Sequence, residues 1–279
     1  MREQAQIFDP RQVMRKDSFE VFHYKQPRPN AVEVHHHDFY EVYFLLGGQI
    51  EYWVEGRLIR MAPGDLLLIN PLQLHRPVQQ THDQLYERIV LWIHCGYLQV
   101  LAPELCRCFD ENLPNHISPA AAEQSALKTQ LLTLVREHYS NEFGSEACAR
   151  GLFLQFMVQL NRLALHTDRR AQESQPLSEL VQQSLEYIAE NIGQNLSLEG
   201  IAGNFFVSKY HLAHAFSREV GVSVYRYIML KRLLMARQML SAGEPAGQVC
   251  RDCGFSDYTS FYRAFKAEYG ISPREVSIE

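Results

Sequence analysis

VSKYHLAHAFSREVG (207–221) and GFSDYTSFYRAFKAEYGISP (254–273) are two versions of one pattern, and they decide the fold of the C-terminal part of this chain. Each begins near a small polar residue that can cap a helix, Ser208 or Ser256, and each helical pattern ends at a glycine. Between these ends lie an aromatic core position and several cations on the opposite side. Such a short, capped, cationic helix is typical of the second helix of a helix-turn-helix, which enters the major groove of DNA.

The charge of the chain is polarised towards these two stretches. The net charge is −5 over 279 residues, which argues against a uniformly cationic protein that coats DNA. Between Ser208 and Arg274, ten Lys and Arg residues accompany five Asp and Glu residues, a balance of +5, so the remaining residues carry −5 − 5 = −10. The positive charge is concentrated where contact with phosphates would need it.

Length and composition indicate a globular protein of two domains. A chain of 279 residues is too long for one small core, and 46% apolar with 21% charged residues is ordinary for a soluble protein. No apolar run approaches the roughly 20 residues that span a bilayer. The first residues, MREQAQIFDP, lack the apolar segment of a secretory signal, and six sparse cysteines fit reduced thiols. We therefore expect a cytoplasmic protein with no membrane partner.

Residues 20–95 have the pattern of short strands. EVYFLLGGQIEYWVEGRLIRMAPGDLLLINP (41–71) alternates apolar and aromatic runs with turns that contain glycine or proline, which predicts an antiparallel barrel or sandwich. From about residue 119 the apolar period becomes helical. The two helical stripes consist of Leu127, Leu131, Leu134 and Val135, and of Phe153, Phe156, Met157, Leu160 and Ala164. These helices are expected either to pack on the barrel or to form a dimer contact.

A polar segment separates the strands and their helices from the remaining sequence. HTDRRAQESQP (166–176) lacks large apolar residues, so we predict a linker there, between a first domain at 1–165 and a second at 177–279. Beyond it, helical periodicity predicts helices at 177–192, 197–203, 208–220, 223–240, 246–253 and 257–269, and a short turn from Pro273. The expected fold class is α+β: an N-terminal antiparallel β-barrel with helices, followed by an all-α double helix-turn-helix domain.

The segment 177–279 resembles the DNA-binding domain of the AraC/XylS family of bacterial transcription regulators. The positions that carry the resemblance are Leu198, Ile201, Ala202, Ser208, Arg232, Leu233, Ala236, Leu240, Gly254, Phe255, Asp257, Phe261, Arg263, Phe265, Lys266, Gly270 and Pro273. The resemblance implies double-stranded operator DNA as a partner, with RNA polymerase and a second copy of the chain as further partners.

The same resemblance implies which side chains meet DNA. The family's base-facing positions correspond here to Tyr210, Ala213 and His214, and to Tyr258, Thr259 and Arg263. Helical spacing independently puts the first trio, and Thr259 with Arg263, on common faces. Arg263 can match the O6 and N7 atoms of guanine, although a solvated surface cation is the alternative. Phosphate contacts are expected from Lys209, Ser217, Arg218 and Lys266.

Cys250 and Cys253 form a C-x-x-C pattern inside the predicted helix 246–253. Two thiolates at this spacing can share a metal ion, so a zinc or redox site is one interpretation. Because the chain has a single such pair, inside a helix that supports the second recognition helix, we interpret both residues as small core residues.

A cluster of histidines marks the start of the strand-rich region. HHHDFYEVYFLLGG (35–48) places His35, His37 and Glu41 in the pattern H-x-H-x3-E-x6-G, and Gly64 precedes His75 by eleven residues. Both spacings resemble the two motifs of the cupin barrel. The first three residues share parity, so a strand through 35–43 would point all of them to one side.

If that side is the barrel interior, these side chains converge with His75 in a cavity. In metal-binding cupins, imidazoles and a carboxylate at these positions hold a divalent ion. The alternatives are a polar pocket for an organic effector without metal and a purely structural cluster. The resemblance favours the organic effector, with a carbohydrate by family habit, so no cofactor is expected. The predicted effector contacts are His35, His37, Glu41, Tyr43, His75 and Trp92.

Together these features favour a sequence-specific transcription regulator controlled by a small molecule, an activator by family analogy, and not an enzyme. Two other hypotheses use the same residues. One is a metal-dependent cupin enzyme fused to a DNA-binding domain. The other is a metal sensor whose ligands are His35, His37, Glu41 and His75.

Overall fold

The computed structural model describes residues 13–27, 32–78, 85–110, 112–167, 174–175 and 177–276. The chain divides into two compact units, Met1–Gln175 and Pro176–Glu279. In the described part of the chain, no helix combines the length and the apolarity that a bilayer span requires.

The N-terminal unit is built on antiparallel strands. They are β1 Phe19–Gln26, β2 Tyr40–Gly47, β3 Ile50–Val54, β4 Arg57–Met61, β5 Leu66–Ile69, β6 His75–Val78, β7 Tyr86–Ile93, β8 His116–Ile117 and β9 Ser174–Gln175. Among the described residues, one sheet has the order β1–β7–β2–β5–β8 and the other β6–β3–β4–β9. Neighbouring strands pair in the antiparallel sense in both sheets.

Alternation along the strands gives the five-stranded sheet two buried faces. On β7, Val90 and Trp92 point to the inner face, where they join an apolar cluster that includes residues of β3 and β4. Ile89 and Leu91 of the same strand point to the outer face and join a separate cluster with the helices. Because both faces are covered, the sequence of β7 is almost continuously apolar.

The predicted antiparallel β-domain is confirmed, but the described strands do not close into a single barrel. β2 pairs with β5 and β7, whereas β3 pairs with β4 and β6 of the other sheet. The corner between them is Gly48, which has a φ of 85°. A Cβ atom at Gly48 would lie 3.1 Å from the carbonyl oxygen of Leu85, so this corner needs glycine. The chain therefore passes from one sheet to the other at this turn, and the hydrogen bonds between strands do not continue from the first sheet into the second.

Helices cover the outer face of the five-stranded sheet. They are α1 Cys95–Leu101, a 3-10 helix Pro103–Phe109, α2 Ala121–His138 and α3 Ser145–His166. The predicted stripes are confirmed, because their members pack in one core with the outer residues of β1, β2, β5 and β7. The buried members are Leu127, Leu131, Leu134, Phe153, Phe156, Met157, Leu160 and Ala164, and Val135 is half-buried.

The predicted linker at 166–176 is described only at its ends. α3 continues to His166, and β9 pairs with Leu58 and Ile59 of β4. Residues 168–173 and 176 lie outside the described residues. Both residues of β9 are polar, so no apolar alternation in the sequence marks this strand.

The C-terminal unit is helical, as predicted. Its helices are α4 Glu179–Glu190, α5 Leu198–Asn204, α6 Lys209–Val220, α7 Val224–Ser241, α8 Ala246–Asp252 and α9 Tyr258–Tyr269, followed by a 3-10 turn at Pro273–Glu275. Each predicted helix is present to within two residues at either end. α7 contacts α6, α8 and α9, so its apolar residues on several faces join the two helix-turn-helix units.

Cys250 and Cys253 lie in the core of the second helix-turn-helix unit, together with Phe261 and Phe265. Burial raises the pKa of Cys253 to about 12, so this side chain is a thiol at neutral pH. Its Sγ lies 3.8 Å from Sδ of Met239. Their interpretation as small core residues is confirmed.

The second recognition helix begins one residue later than the sequence pattern predicts. Its N-cap is Asp257, whose carboxylate accepts a backbone N–H of the first turn at 2.8 Å, and not Ser256. In the first unit Ser208 is the N-cap, as predicted. The connection before α9 (253–256) is one residue longer than the connection before α6 (205–207), which moves the cap by one position.

Candidate DNA-reading helices and effector site

α6 buries one side and exposes the other. Leu212 and Phe216, one turn apart, are fully buried and hold the helix on the core of its unit. Tyr210 is 78% exposed, His214 one turn further on is also exposed, and Ala213 is half-buried. The face predicted to meet bases is therefore the solvent side of a firmly packed helix.

α9 repeats this arrangement. Phe261 and Phe265 are fully buried, with their ring centroids 5.7 Å apart. Tyr258 is less open than Tyr210, at 36% exposure, because its ring contacts Phe261 edge-on at 5.8 Å. The other predicted DNA contacts on this helix are also exposed: Thr259, Arg263 and Lys266.

Alignment of the two helices on their N-caps reveals one exposed side chain that the sequence pattern missed. The equivalent trios are Tyr210, Ala213 and His214 of α6, and Thr259, Tyr262 and Arg263 of α9. Tyr262 is 36% exposed and occupies the position equivalent to Ala213. The aspartate cap is the signal that could have found it, since the cap sets the register of the helix.

The cations of the two helices differ in their partners. Lys209 Nζ lies 2.6 Å from Oε1 of Glu199 on α5, and an Arg218 Nη atom lies 2.8 Å from Oε1 of Glu219. Ser217, which precedes Arg218, is exposed. Arg263 makes no ion pair within the described ranges, so it can bind a new acceptor without breaking one.

In the N-terminal unit, the carboxylate of Glu41 is the centre of a polar cluster on the inner face. Its Oε1 accepts the indole N–H of Trp92 at 3.1 Å. Its Oε2 lies 3.1 Å from Nε2 of His37 and 3.3 Å from Nε2 of His75, the latter without the angle of a hydrogen bond. Both histidine side chains are 1% exposed. Four of the predicted residues therefore meet at one carboxylate, whose side chain is 13% exposed.

These residues meet although the predicted strand through 35–43 is wrong. β2 begins only at Tyr40, and His35 forms an isolated β-bridge with His75 through backbone hydrogen bonds of 3.1 and 3.0 Å. The bridge brings the two imidazole rings to a centroid separation of 4.2 Å. The convergence comes from pairing with a distant segment and not from alternation along one strand.

The main chain orients all three imidazoles. Their Nδ1 atoms donate to backbone carbonyl oxygens: His35 to Glu33 at 2.9 Å, His37 to Phe39 at 2.8 Å and His75 to Gln73 at 2.9 Å. A carbonyl can only accept, so each Nδ1 carries the proton and a neutral ring then has a lone pair on Nε2. For His37 and His75 that lone pair faces the carboxylate of Glu41. A proton or another cation between them would be favourable.

The cluster has an anionic centre. Burial raises the pKa of Glu41, but a proton on Nε2 of His37 or His75 is donated to the carboxylate, and this interaction outweighs burial and holds the pKa well below its usual range. Burial lowers the pKa of His37, with Glu41 acting in the opposite direction. Burial and repulsion from His75 lower the pKa of His35 to about 3. A half-buried anion between two buried imidazoles favours a ligand that brings a hydrogen-bond donor or a positive charge.

Two family models match this chain. One, described as the AraC-like ligand binding domain, matches residues 18–134, which include the Glu41 cluster. The other, described as a helix-turn-helix domain, matches residues 201–277, which include α6 and α9. The chain belongs to the AraC family of transcription regulators.

Relatives of this AraC-family chain are similar over most of its length. The "HTH-type transcriptional activator RhaS" of Citrobacter koseri is 26% identical over 254 residues, 88% of this chain and 88% of that protein. The "Probable transcriptional regulator LumQ" of Photobacterium leiognathi is 23% identical over 240 residues, 86% of this chain and 89% of that protein. A solved structure, the C-terminal domain of AraT, a response regulator from Geobacillus stearothermophilus, is 27% identical with a TM-score of 0.36, covering 38% of this chain and 91% of that chain. This AraC-family protein is a DNA-binding transcription regulator with a ligand-binding domain.

Three residues of the ligand-binding domain fit a metal ion. Among the described residues, the ligand atoms of His37, Glu41 and His75 all lie within 4.8 Å of one another. His35, the fourth predicted ligand, is not part of that group. The Nδ1 hydrogen bonds leave Nε2 as the atom of each ring that can bind a metal, as they do in metal-binding histidines. Two imidazoles and a carboxylate are a suitable ligand set for a divalent transition metal.

The aromatic residues predicted to contact the effector are core residues of this AraC-family domain. Tyr43 is 1% and Trp92 is 6% exposed, and the Trp92 ring packs edge-on against Phe22 at 5.0 Å. Trp92 therefore acts on Glu41 through its N–H and presents no open face for stacking. Arg88, which the sequence analysis missed, lies on the same side of β7 as Trp92 and is 4% exposed. Its even spacing from Trp92 was the available signal.

Proposed function

We propose that this protein activates transcription by presenting α6 and α9 to one DNA duplex, under the control of an effector that binds on the inner face of the N-terminal unit. The observation that carries the proposal is that both helices are held by buried aromatic residues and expose equivalent trios. Relatives named as transcriptional activators support the sign of regulation. Expression of a reporter gene placed downstream of a DNA site that the protein binds tests whether the protein activates or represses transcription.

The proposed DNA contacts follow from the exposed sides of the two helices. We assign base contacts to Tyr210, Ala213, His214, Tyr258, Thr259 and Arg263, and add Tyr262 on the strength of the cap alignment. We assign phosphate contacts to Lys209, Ser217, Arg218 and Lys266. Base contacts specify and phosphate contacts position, so substitutions in the two sets should differ in their effect on sequence preference.

The proposed effector site is the cluster around Glu41. Its half-buried carboxylate and oriented imidazoles suit a small polar organic molecule, and the family resemblance favours a carbohydrate. Such an effector must bind one arrangement of the protein better than another, because equal affinity for both would leave DNA binding unchanged. A thermal-shift screen of small molecules tests the site. A stabilising compound should lose its effect in Glu41→Gln and should change DNA affinity in the wild type.

The assembly and location of the protein are further parts of the proposal. A homodimer would raise DNA affinity through effective concentration, and RNA polymerase is the partner that an activator requires. Both imply a cytoplasmic protein. Light scattering of the purified chain, with and without DNA, tests the dimer.

A metal-responsive regulator is the second candidate function. The observation that favours it is the orientation of three imidazoles by Nδ1 hydrogen bonds, which turns the Nε2 lone pairs of His37 and His75 towards Glu41. Metal analysis of protein purified without a histidine tag separates the candidates. Stoichiometric metal that DNA binding requires would support a metal sensor, and metal with turnover of a substrate would support an enzyme. Metal-free protein that binds an organic effector would support the first proposal.

A further inference from the structure

A strained and exposed aromatic residue lies just before the first reading helix. Phe206 has a φ of 55°, in the left-handed region that favours glycine, and it is 97% exposed. Within the described part of the C-terminal unit, it is the only residue other than glycine that has a positive φ. The left-handed backbone is unfavourable for a residue with a side chain, and an apolar ring in water adds to that cost.

The second helix-turn-helix unit makes the same turn with a glycine. In both units the first helix ends with two backbone hydrogen bonds of 2.9–3.2 Å, in which N–H groups donate to carbonyl oxygens: Phe206 to Gly203 and Val207 to Ala202 in the first unit, and Gly254 to Arg251 and Phe255 to Cys250 in the second. This pair of bonds is the Schellman motif, whose left-handed residue is usually glycine. Gly254 has a φ of 76°, so Phe206 occupies the position that is equivalent to Gly254.

The surroundings of the two equivalent positions differ. A Cβ atom at Gly254 would lie 2.8 Å from an Nη atom of Arg232 and 2.9 Å from the carbonyl oxygen of Ile192, so the second unit needs glycine there. The side chain of Phe206 points into solvent, where the first unit gains almost no packing from it. Glycine at this position would therefore relieve the strain at almost no loss of packing. Strain of this kind is typical of residues with a functional contact, and the fold alone gives no reason for a phenylalanine.

The turn places Phe206 at the entry to α6, the helix whose first residues are proposed to meet DNA. Phe206 precedes the N-cap, Ser208, by two residues, and it precedes Tyr210, which is 78% exposed, by four. In a helix-turn-helix, the first helix crosses the DNA backbone and the N-terminal residues of the second helix reach base edges. The connection between these helices therefore lies where the backbone borders the major groove. The apolar group that this groove offers to an aromatic ring is the 5-methyl group of thymine.

We propose that the ring of Phe206 contacts the 5-methyl group of a thymine at the edge of the DNA site that α6 reads. This inference rests on the proposed function, because it requires α6 to lie in the major groove. Contact removes the ring and the methyl group from water together, and that burial offsets the backbone strain. Phe206 then adds to sequence preference at one base pair, whereas Gly254 of the second unit adds nothing at the equivalent position.

Replacement of thymine by uracil tests this contact one position at a time, since uracil lacks only the methyl group and still pairs with adenine. The affinity of the full-length protein is measured for duplexes in which each thymine of a selected binding site is replaced in turn. For the wild type, one replacement in the patch of base pairs that α6 reads should weaken binding by about fourfold, the effect of one buried methyl group. Phe206→Ala should bind that duplex and the thymine duplex equally well. If the wild type ignored every replacement in this patch, or if Phe206→Ala remained sensitive to the same one, the thymine contact would be wrong.

Phe206→Gly separates DNA contact from folding. Glycine adopts the left-handed conformation without strain, so the thermal midpoint should rise by about 3 °C. Affinity for the preferred site should nevertheless fall by about tenfold, because the ring is lost from the interface. Phe143→Ala is the matched control and should keep wild-type DNA affinity, since Phe143 is also fully exposed but lies between α2 and α3 of the N-terminal unit. A more stable Phe206→Gly that keeps the affinity of the wild type would overturn the inference.

The inference and the proposed function fail in different ways. If His214→Ala changes the base preference of the patch that α6 reads and Phe206→Ala does not, α6 reads DNA without Phe206 and the inference alone falls. If neither variant changes that preference, α6 does not read bases and both fall. Unchanged DNA binding with lower reporter expression in Phe206→Ala would replace the thymine contact by a contact with RNA polymerase.

Discussion

At the scale of single residues, the surroundings of a cation decide how it can act on DNA. Lys209 and Arg263 both lie on reading helices, but the ammonium group of Lys209 is 2.6 Å from Glu199 and 5.6 Å from the ring centre of Tyr210. Arg263 is exposed and makes no ion pair among the described side chains. Arg263 can therefore bind a base edge directly, whereas Lys209 must first give up a partner.

Replacing Arg263 by alanine should weaken DNA binding by about 1–3 kcal/mol and relax base preference at one position. The reason is that a guanidinium group recognises guanine through two hydrogen bonds. Binding to a set of single-base operator variants measures this preference. Lys266→Ala is the control, and it should weaken binding to all sequences alike and reduce the salt slope by roughly one unit. Discrimination that survives Arg263→Ala would contradict the assignment.

Replacing Glu199 by glutamine should strengthen binding to all DNA sequences alike, by about twofold to fivefold, because it frees the ammonium group of Lys209 for a phosphate. Titration with the preferred site and with a scrambled duplex, each at several salt concentrations, measures the effect. Glu190→Gln removes an exposed carboxylate of α4 and corrects for the general change in charge. A gain no larger than that of the control would show that Lys209 does not contact phosphate.

The stability of the N-terminal unit should fall as the pH is lowered from 6.5 towards 4. Burial and the nearby Lys16, whose Nζ lies 3.2 Å from Nε2, lower the pKa of His138 to about 4 from 6.5. Between these values the unfolded chain binds more protons than the folded protein. The full shift would correspond to about 3 kcal/mol, and solvent screening of this half-buried ring reduces the expected decrease in the free energy of unfolding to about 1 kcal/mol. Denaturant unfolding at several pH values measures the slope. His138→Gln should flatten it, and His166→Gln, at the exposed end of α3, should not.

At the scale of elements, the helices were more predictable than the strands. The apolar period and the caps of α6 or α7 lie within the helix itself, so sequence placed both to within one residue. The partner of a strand residue lies far along the chain, which is why the strand through 35–43 was wrong while the meeting of His35 with His75 was right. β9 was missed because its two residues are polar and show no apolar alternation.

The candidate site was predictable in part. The spacing of histidine and glutamate residues identifies possible ligands from sequence, and Glu41, His37 and His75 do converge. Arg88 was missed because a charged residue in a strand is usually taken as surface, and only the alternation of β7 around it places it inside. Tyr262 was missed because the register of α9 depends on Asp257, one position beyond the serine that looked like the cap.

The Asp257 cap makes a testable distinction between neighbouring residues. Asp257→Ala should lower the thermal midpoint of the C-terminal unit by about 4 °C or more, because a backbone N–H of the first turn of α9 loses its acceptor. Ser256→Ala should change the midpoint little. Calorimetry of both variants measures the difference. If Ser256→Ala lowered the thermal midpoint more than Asp257→Ala, Ser256 would be the N-cap, as the sequence pattern predicted.

At the scale of the whole molecule, the proposed effector site and the proposed DNA-reading helices lie in separate units. The Glu41 cluster and Arg88 lie in Met1–Gln175, and both reading helices lie in Pro176–Glu279. The C-terminal residues 208–274 carry a balance of +5 within a chain of net charge −5, which favours DNA contact on that unit alone. Regulation then requires that the effector discriminate between arrangements of the protein with different DNA affinities.

The most direct test of this account is selection of binding sites by the full-length protein from a randomised pool of DNA duplexes at moderate ionic strength. Two reading helices on one chain predict a motif with two preferred patches, centred about 10 base pairs apart, one helical turn of DNA. His214→Ala should erase one patch and Arg263→Ala the other. Enrichment of no sequence, or a single patch that both substitutions erase together, would contradict the account.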